Sequence, residues 1–230
     1  MCIPIAASTG LINEIGDRVF LTAARQAKAW RRSVHPQFQT SVNRSPVQFR
    51  CGTDKQLTWG QQLEQLGLSG DAIAVEITEG LLLDNDPGVS AQLRALRDAG
   101  LPISLDDFST GYSAMAYLRK FALDYLKIDR SFANGMGQDP ASRALCQASV
   151  VLAHALGMKV VAEGIETQAQ YDWLRDAGCE FGQGFLMSRP LKPEAFEAFV
   201  GLAPSAAAAA LPAPKRQVAG STTAHSVCIS

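Results

Sequence analysis

Six short apolar segments of this chain each end on polar residues that can hold a metal ion or a phosphate group. These polar ends are Asn43, Glu76, the pair Asp106 and Asp107, Lys127 with Asp129, Glu163 with Glu166, and Gln183. Burying an unpaired charge is costly, so a carboxylate that recurs at the end of apolar segments needs a partner. Helix-like segments separate the six ends, which predicts a ring of parallel strands with one functional rim.

The residue types at this rim favour hard metal ions. Carboxylate and amide oxygens, without histidine or cysteine, select Mg²⁺ or Mn²⁺. The histidines form no ligand pair, and the five cysteines are scattered without a CxxC spacing. Several carboxylates around such ions suit phosphoryl chemistry, in which two ions activate water and stabilise the leaving oxygen.

The adjacent carboxylates of Asp106 and Asp107 allow two interpretations. Aspartate is a favoured helix N-cap, so a lone Asp-Asp pair is most often structural. Here the polar, glycine-containing loop FSTGYS follows the pair, rather than a helix. Adjacent carboxylates repel each other unless a cation or a basic group lies between them, so we interpret this pair as part of a site.

Two charged residues lie inside apolar, strand-like segments. Side chains alternate along a strand, so Glu76 and Thr78 share one face and Glu79 takes the other. A glutamate that points into a barrel needs a partner, and a metal ion is one such partner. Lys127 is either a structural partner of a carboxylate or a cation that faces a phosphate or an attacking water.

The pattern between the polar ends is one of strands alternating with helices. Strands are predicted near residues 38–43, 72–79, 102–108, 125–130, 159–163 and 181–186. Helical spacing covers residues 11–30, 56–66 and 89–99, and the first of these places Ile15, Val19, Ala23 and Ala27 on one side. This alternation implies a parallel sheet, and an eight-stranded barrel needs two strands more. The predicted fold class is α/β, an incomplete TIM-like (β/α) barrel that lacks its first two strands.

Capping signals mark several helix boundaries. Asp139 before Pro140 resembles an N-cap followed by proline, and Thr167 with Gln170 has the spacing of a capping box. Glycines stand where three helices are expected to end, at Gly100, Gly157 and Gly178.

Composition limits the class of protein. The chain has 230 residues, 47% of them hydrophobic, which is enough for one sizeable core. A net charge of -1 argues against a general DNA, RNA or membrane-surface binder. No apolar stretch is long enough to span a membrane, and the unpaired cysteines favour the cytoplasm. We expect one domain over residues 1–200, and the low-complexity segment 201–230 is predicted to be a disordered tail.

Longer strings of this sequence resemble the EAL domain of bacterial cyclic-di-GMP phosphodiesterases. These strings are NRSPVQF, VEITE, LDDFSTGYSAMAYLRKFALDYLKIDRSF, VVAEGIET and GQGFLMSRPL. The opening IPIAASTGLINEIG is also similar to the segment that follows the motif for which the family is named. The resemblance covers roughly residues 3–200 and runs in the family's order.

The resemblance implies an enzyme that hydrolyses cyclic di-GMP to the linear dinucleotide with Mg²⁺ or Mn²⁺. It implies four metal ligands, Asn43, Glu76, Asp106 and Asp107. Lys127 matches the lysine that contacts the catalytic water, and Glu163 matches the glutamate proposed as general base or water-orienting ligand. Gln183 matches a polar residue that supports the site. Glu79 matches the glutamate that anchors the flexible loop at 106–113, where Ser109 replaces a common glycine. Family members often dimerise, so a homodimer is a further expectation.

One departure from the family bears on activity. The Glu-Ala-Leu motif is absent, and in the family it precedes the segment that matches residues 3–12. Its glutamate is a metal ligand, so we expect an N-terminally truncated phosphodiesterase whose activity depends on what remains. The alternative is a catalytically inactive regulatory module that binds the nucleotide or a protein partner. Outside the family, an enolase-type lyase also fits a carboxylate-lined barrel with a strand lysine, but matches fewer residues.

Overall fold

In the described residues, seven parallel strands form one sheet, in the order β6-β5-β4-β3-β2-β1-β7. The computed structural model describes residues 3–50, 58–83, 86–108, 118, 120–135, 139–201 and 226–228. The first six strands and the helices that connect them form a half-barrel, so the predicted α/β, TIM-like fold class is confirmed. From β1 to β6, consecutive strands are neighbours in the sheet, as expected for successive strand–helix–strand units.

All six predicted strands are present. Their bounds are β1 Gln39–Asn43, β2 Ile73–Thr78, β3 Ile103–Phe108, β4 Tyr125–Ile128, β5 Lys159–Ala162 and β6 Phe181–Gly182. The last strand is shorter than its predicted range because the chain turns after Gln183. There the amide of Leu186 donates to the carbonyl oxygen of Ile165 at 2.9 Å rather than to a strand partner.

Helices flank the sheet on its outer side. Their bounds are α1 Ile3–Thr9, α2 Ile12–Ser33, α3 Pro46–Arg50, α4 Trp59–Leu66, α5 Glu79–Leu83, α6 Pro87–Asp98, α7 Arg130–Gly135, α8 Pro140–Ala155, α9 Gln168–Ala177 and α10 Pro193–Phe199. A short 3₁₀ turn, Gly70–Ala72, leads into β2. No helix in the described ranges is both long enough and apolar enough to cross a bilayer.

The two faces of the sheet differ in chemistry. Outward side chains such as Val75, Leu105 and Leu126 are fully buried against the helices and form the main core. Inward positions carry polar or small residues, among them Ser41 and Ser104. A complete barrel fills its interior with bulky branched side chains. The inner face here is therefore a surface suited to ligands rather than a second core.

The buried face of α2 differs from the predicted one. Ala23 and Ala27 are buried as expected, but Ile15 and Val19 are each 41% exposed. Gly16 and Phe20, each one position later in the sequence, are buried instead. The stripe that contacts the sheet is centred on residues 16, 20, 23, 24 and 27, so the predicted face was displaced by about one position.

A short segment near the carboxyl end of the chain extends the sheet beyond β1. Strand β7, Ser226–Cys228, pairs in parallel with Gln39, Thr40 and Ser41 of β1. These residues belong to the low-complexity segment that the sequence pattern placed outside the fold. The pairing covers the outer edge of β1 from Gln39 to Ser41, so that part of the edge is not open to pairing with another chain.

The predicted capping signals at α8 and α9 are confirmed. Thr167 accepts a hydrogen bond from the Gln170 amide while the Gln170 side chain accepts from the Thr167 amide, which completes a capping box. Asp139 accepts from the amides of Ala141 and Ser142 at the start of α8. Gly100, Gly157 and Gly178 all have positive φ, as expected at helix ends.

Stability is expected to depend on pH through Asp139. The Ser142 hydroxyl, and then the Ala141 amide, hold the pKa of this carboxyl below its usual value. A depressed pKa stabilises the folded state above the unfolded-state pKa, and this gain is lost as the pH falls through the folded-state pKa. Asp139→Ala should therefore lower the thermal midpoint at about pH 7, and the difference from the native chain should shrink towards about pH 3.

Asp139→Asn is the matched control, because asparagine caps a helix but does not titrate. The asparagine and alanine variants should differ from each other by the same amount at every pH. A native-minus-alanine difference in thermal midpoint that does not change with pH would contradict this role of the carboxylate.

Candidate active site

Lys127 is the centre of a buried cluster of carboxylates at the carboxyl ends of the strands. Its Nζ lies 2.9 Å from Glu76 Oε2, 3.1 Å from Asp106 Oδ1 and 2.6 Å from Glu163 Oε1. The side chains of Lys127 and Glu76 are 5% and 2% exposed. Buried charges persist only when they are paired, so each of these residues depends on the others.

The parallel register explains how residues distant in sequence meet. Asn43 of β1 is level with Glu76 of β2. Thr78 is level with Asp106, and Lys127 of β4 is level with Val161 of β5. Since parallel strands begin and end together, the polar residues near each strand end converge on one rim.

Glu163 and Gln183 extend the rim just beyond β5 and β6. The Gln183 Nε2 donates to Glu163 Oε1 at 2.8 Å, so this carboxylate oxygen accepts from both Gln183 and Lys127. Gly164 turns the chain with φ 67°, and a Cβ there would lie 2.3 Å from the Cβ of Arg130. A Cβ on Gly184 would lie 2.1 Å from the Ile165 backbone. Only glycine permits these close approaches beside the two site residues.

Asp106 and Asp107 lie at an irregularity in β3. The β3–β4 register shifts between Leu105 and Phe108, and Asp107 has φ 54°, in the left-handed region. The Asp107 amide donates to Asp106 Oδ1 at 3.0 Å. Such a bulge interrupts the regular alternation of side chains and re-aims a residue at a site.

The cluster has more negative than positive charge. Burial, then repulsion from Asp106 and Asp129, raises the pKa of Asp107. Burial raises the pKa of Glu163 above its usual value, although Lys127 opposes this. A single ammonium thus faces several carboxylates, and an added cation would relieve their mutual repulsion.

The donor atoms at the rim are of the chemical kind that binds a hard divalent metal. The oxygens of Glu76, Asp106, Asp107 and Asn43 are the type that Mg²⁺ and Mn²⁺ prefer, and the surplus of negative charge is of the right sign. Within the described part of the chain, no three acidic, histidine or cysteine side chains are grouped closely enough to enclose one ion. The ammonium of Lys127 lies between the carboxylates and is the cation on which they converge.

A cavity of about 280 Å³ opens on the inner face of the sheet beside this cluster. Glu76, Lys127 and Gln183 line it together with Tyr125 and Lys159, which lie at the amino ends of their strands. Small side chains on the central strands leave this space open. The cavity extends along the concave side of the half-barrel from the amino ends of the strands to Glu76, Lys127 and Gln183.

The predicted site residues differ in how closely the structure groups them. Glu76, Asp106, Lys127, Glu163 and Gln183 are in direct contact through the ion pairs and hydrogen bond given above. Asn43 is exposed at the end of β1, one strand away. Glu79 begins α5 immediately after β2 and is half-buried. Most of the loop assigned to it, including Ser109, lies outside the described residues.

Two further residues near the rim had no role in the predicted site, although the sequence pattern marks Asp129 as a polar strand end. The Ser131 hydroxyl, and then the Ser131 amide, lower the pKa of Asp129, and the charge of Asp129 acts on Asp107. Phe185 is 51% exposed, and the Arg189 guanidinium lies 4.5 Å from its ring centre. The position of Phe185 within the run FGQGF, two residues after Gln183, is the signal that could have identified it.

A parallel half-barrel with an acidic rim and a strand lysine defines the class of this protein. The family model described as the EAL domain matches residues 2–190. The chain therefore belongs to the EAL domain family, and the resemblance found in its motifs is confirmed.

Relatives of known name support this assignment. The cyclic di-GMP phosphodiesterase NbdA of Pseudomonas aeruginosa is 37% identical over 199 residues, which cover 86% of this chain and 25% of NbdA. The chain thus spans about a quarter of the length of the curated relatives that it matches.

Solved structures show the same fold. The phosphodiesterase of MucR from Pseudomonas aeruginosa, in complex with c-di-GMP, has a TM-score of 0.77 and 36% identity, over 84% of this chain and 78% of that one. Klebsiella pneumoniae BlrP1, in a complex with manganese and cyclic di-GMP, has a TM-score of 0.64 and 29% identity, over 75% of this chain and 44% of that one.

Proposed function

We propose that this chain is a cyclic-di-GMP phosphodiesterase that hydrolyses cyclic di-GMP to linear pGpG. The observation that carries the proposal is the convergence of Glu76, Asp106 and Glu163 on Lys127 at one rim of the barrel. Membership of the EAL family and the names of the relatives supply the substrate.

Glu163, Lys127 and Gln183 have different roles in the proposed hydrolysis. Glu163, whose pKa is raised by burial, takes the proton of the attacking water, as a general base should. The water oxygen forms a bond to phosphorus while the bond from phosphorus to the ribose 3′ oxygen breaks. The 3′ oxygen gains a proton, and a 5′-phosphate remains. Lys127 holds the water and the phosphate oxygen in place, and Gln183 fixes the orientation of the Glu163 carboxylate.

Two divalent ions, Mg²⁺ or Mn²⁺, complete the proposed site. Asn43, Glu76, Asp106 and Asp107 would hold them, and the ions when bound would lower the pKa of water and neutralise phosphate charge. The manganese complex of BlrP1 supports this choice of metal class. Glu79 is proposed to anchor the loop that begins at Asp106.

Phe185 is suited to stack on a guanine base of the substrate. Its ring is half exposed on the segment that follows Gln183, and the Arg189 guanidinium lies over one face. Stacking on an aromatic side chain is worth about 1–3 kcal/mol per base. The ring is therefore placed to contribute to substrate affinity without taking part in bond breaking.

Phe185→Ala is expected to raise the KM for cyclic di-GMP about 10-fold and to leave kcat nearly unchanged, since stacking binds ground and transition states alike. Steady-state kinetics with Mn²⁺ measure both constants. Phe199→Ala is the control, because Phe199 is similarly exposed, at 48%, but lies on α10. An unchanged KM in the Phe185 variant would exclude the stacking role.

The experiment that tests the function compares binding with turnover. Calorimetry with cyclic di-GMP in the presence of Ca²⁺ measures binding, and chromatography after incubation with Mn²⁺ measures conversion to pGpG. Binding with conversion supports the phosphodiesterase. Binding without conversion supports the regulatory module instead, and the absence of both from a folded chain would exclude both functions.

Two further properties belong to the same proposal. We propose that the protein acts in the cytoplasm, where Cys146 and Cys179 remain thiols; burial raises their pKa values to about 11 and about 12. A homodimer is proposed on the grounds that family members often dimerise. Sedimentation of the purified chain with and without cyclic di-GMP distinguishes the monomer from the dimer.

A further inference from the structure

Arg44 follows Asn43 directly and is held in an unusual environment. Its guanidinium carbon lies 4.3 Å from the ring centre of Phe49 and 4.9 Å from that of Trp59. Its Nη2 donates to Gln92 Oε1 at 2.8 Å. In the described ranges, its Nε has no hydrogen-bond partner. The Nη2 also donates a longer hydrogen bond, of 3.5 Å, to the Gln48 carbonyl oxygen. The cation is thus fixed by aromatic faces and by two amide oxygens, rather than by a carboxylate in contact with it.

The aromatic residues around Arg44 are fixed in turn. The Trp59 indole donates to Asp17 Oδ1 at 2.9 Å and stacks on Phe20 at 4.2 Å. Burial lowers the pKa of Arg44 to about 10, opposed by the charge of Asp17, so the side chain keeps its charge near neutral pH. The guanidinium is therefore clamped between α3 and α4 and is tied to α6 through Gln92.

The backbone of Arg44 reaches the active site. Its amide donates to the carbonyl oxygen of Glu76 at 2.9 Å, which prolongs the β1–β2 pairing one residue past Asn43. Arg44 is therefore fixed both through its side chain, by the aromatic rings and Gln92, and through its backbone amide, by the Glu76 carbonyl. The turn that presents Asn43 beside Glu76 is thereby fixed.

We propose that Arg44 is a positioning residue that anchors the end of β1 and so sets the place of the Asn43 carboxamide at the metal-binding rim. The proposal rests on the function proposed above. It concerns a residue that contacts neither substrate nor metal and that acts through Asn43 and the Glu76 carbonyl.

The loss of charge and the loss of positioning in Arg44→Met are expected to change the affinity for Mn²⁺ in opposite directions. Removing a positive charge near a cation site would by itself tighten Mn²⁺ binding. Loss of the clamp should instead weaken it about 10-fold, the usual result when a residue that orients a ligand is lost. Arg44→Lys keeps the charge but fits the aromatic clamp less well, so its affinity for Mn²⁺ should be intermediate.

A double-mutant cycle with Asn43→Ala tests whether Arg44 acts through Asn43. Mn²⁺ binding, measured by the electron paramagnetic resonance signal of the unbound ion, should weaken in each single variant. In the double variant it should be no weaker than in Asn43→Ala alone. Additive losses, or an Mn²⁺ affinity that is unchanged or higher in Arg44→Met, would overturn the proposal.

A second readout does not depend on metal. Deuterium exchange at the backbone amide of position 44, which bonds to Glu76, should become faster in Arg44→Met, and an unchanged rate would also overturn the proposal. Arg31→Met is the matched control, because Arg31 binds Asp71 and the Phe38 carbonyl at the opposite ends of the strands. It should lower the thermal midpoint and leave exchange at position 44 and Mn²⁺ affinity unchanged. A native chain that binds no Mn²⁺ would exclude the proposed function, while the exchange rate still decides the anchoring role.

Discussion

Lys127→Met is expected to abolish hydrolysis of cyclic di-GMP and to destabilise the metal-free chain by about 3–5 kcal/mol. The substitution removes the ammonium that lies within 3.1 Å of Glu76, Asp106 and Glu163. Glu76 is almost fully buried and would lose the cation that faces its carboxylate. Urea unfolding and steady-state turnover measure the two effects.

Metal should partly reverse the loss of stability. Mn²⁺ binds the folded carboxylate cluster and can supply the missing positive charge, so it should raise the thermal midpoint of Lys127→Met more than that of the native chain.

Lys127→Arg keeps the charge and the fold, and its turnover should still fall at least about 100-fold because the guanidinium has a different shape. Lys28→Met is the control, since Lys28 Nζ donates only to the Leu66 carbonyl in the described ranges. A Lys127→Met variant with the stability and turnover of the native chain would contradict the proposed roles of Lys127 in the carboxylate cluster and in hydrolysis.

Glu163→Gln is expected to lower kcat by about 10³-fold with little change in KM. Glutamine has nearly the same shape and can still accept from Lys127 and Gln183, but it cannot take a proton from water. Burial already disfavours the ionised form of Glu163, as its raised pKa indicates, so the loss of the charge should not reduce stability. Single-turnover kinetics and thermal unfolding measure these quantities.

The matched control for Glu163 is Glu64→Gln on α4, an exposed position away from the rim. Its kinetics should equal those of the native chain. A Glu163→Gln enzyme that retained kcat within a factor of about three would show that another group accepts the proton.

Much of the architecture could be predicted because it depends on local patterns. The strands follow from short β-branched runs, and the start of α8 follows from Asp139 with Pro140. The meeting of Glu76, Lys127 and Glu163 is also an expectation of simple geometry. Residues near the carboxyl ends of parallel strands in one sheet must lie at the same rim.

Other features depend on contacts that no local pattern contains. Arg44 is fixed by Trp59 and by Gln92, which lies 48 residues away in sequence. The bulge at Asp107 depends on how β3 pairs with β4. The exposure of Ile15 shows the same limit, because the helical period alone does not say which of two adjacent stripes meets the sheet.

The most direct test is incubation of the whole purified chain with cyclic di-GMP and Mn²⁺, with Glu163→Gln and Glu64→Gln in parallel, followed by chromatography. We predict linear pGpG from the native chain and from Glu64→Gln, and intact cyclic di-GMP from Glu163→Gln. A folded native chain that binds cyclic di-GMP and leaves it intact would contradict the phosphodiesterase assignment and would identify the rim as a binding site.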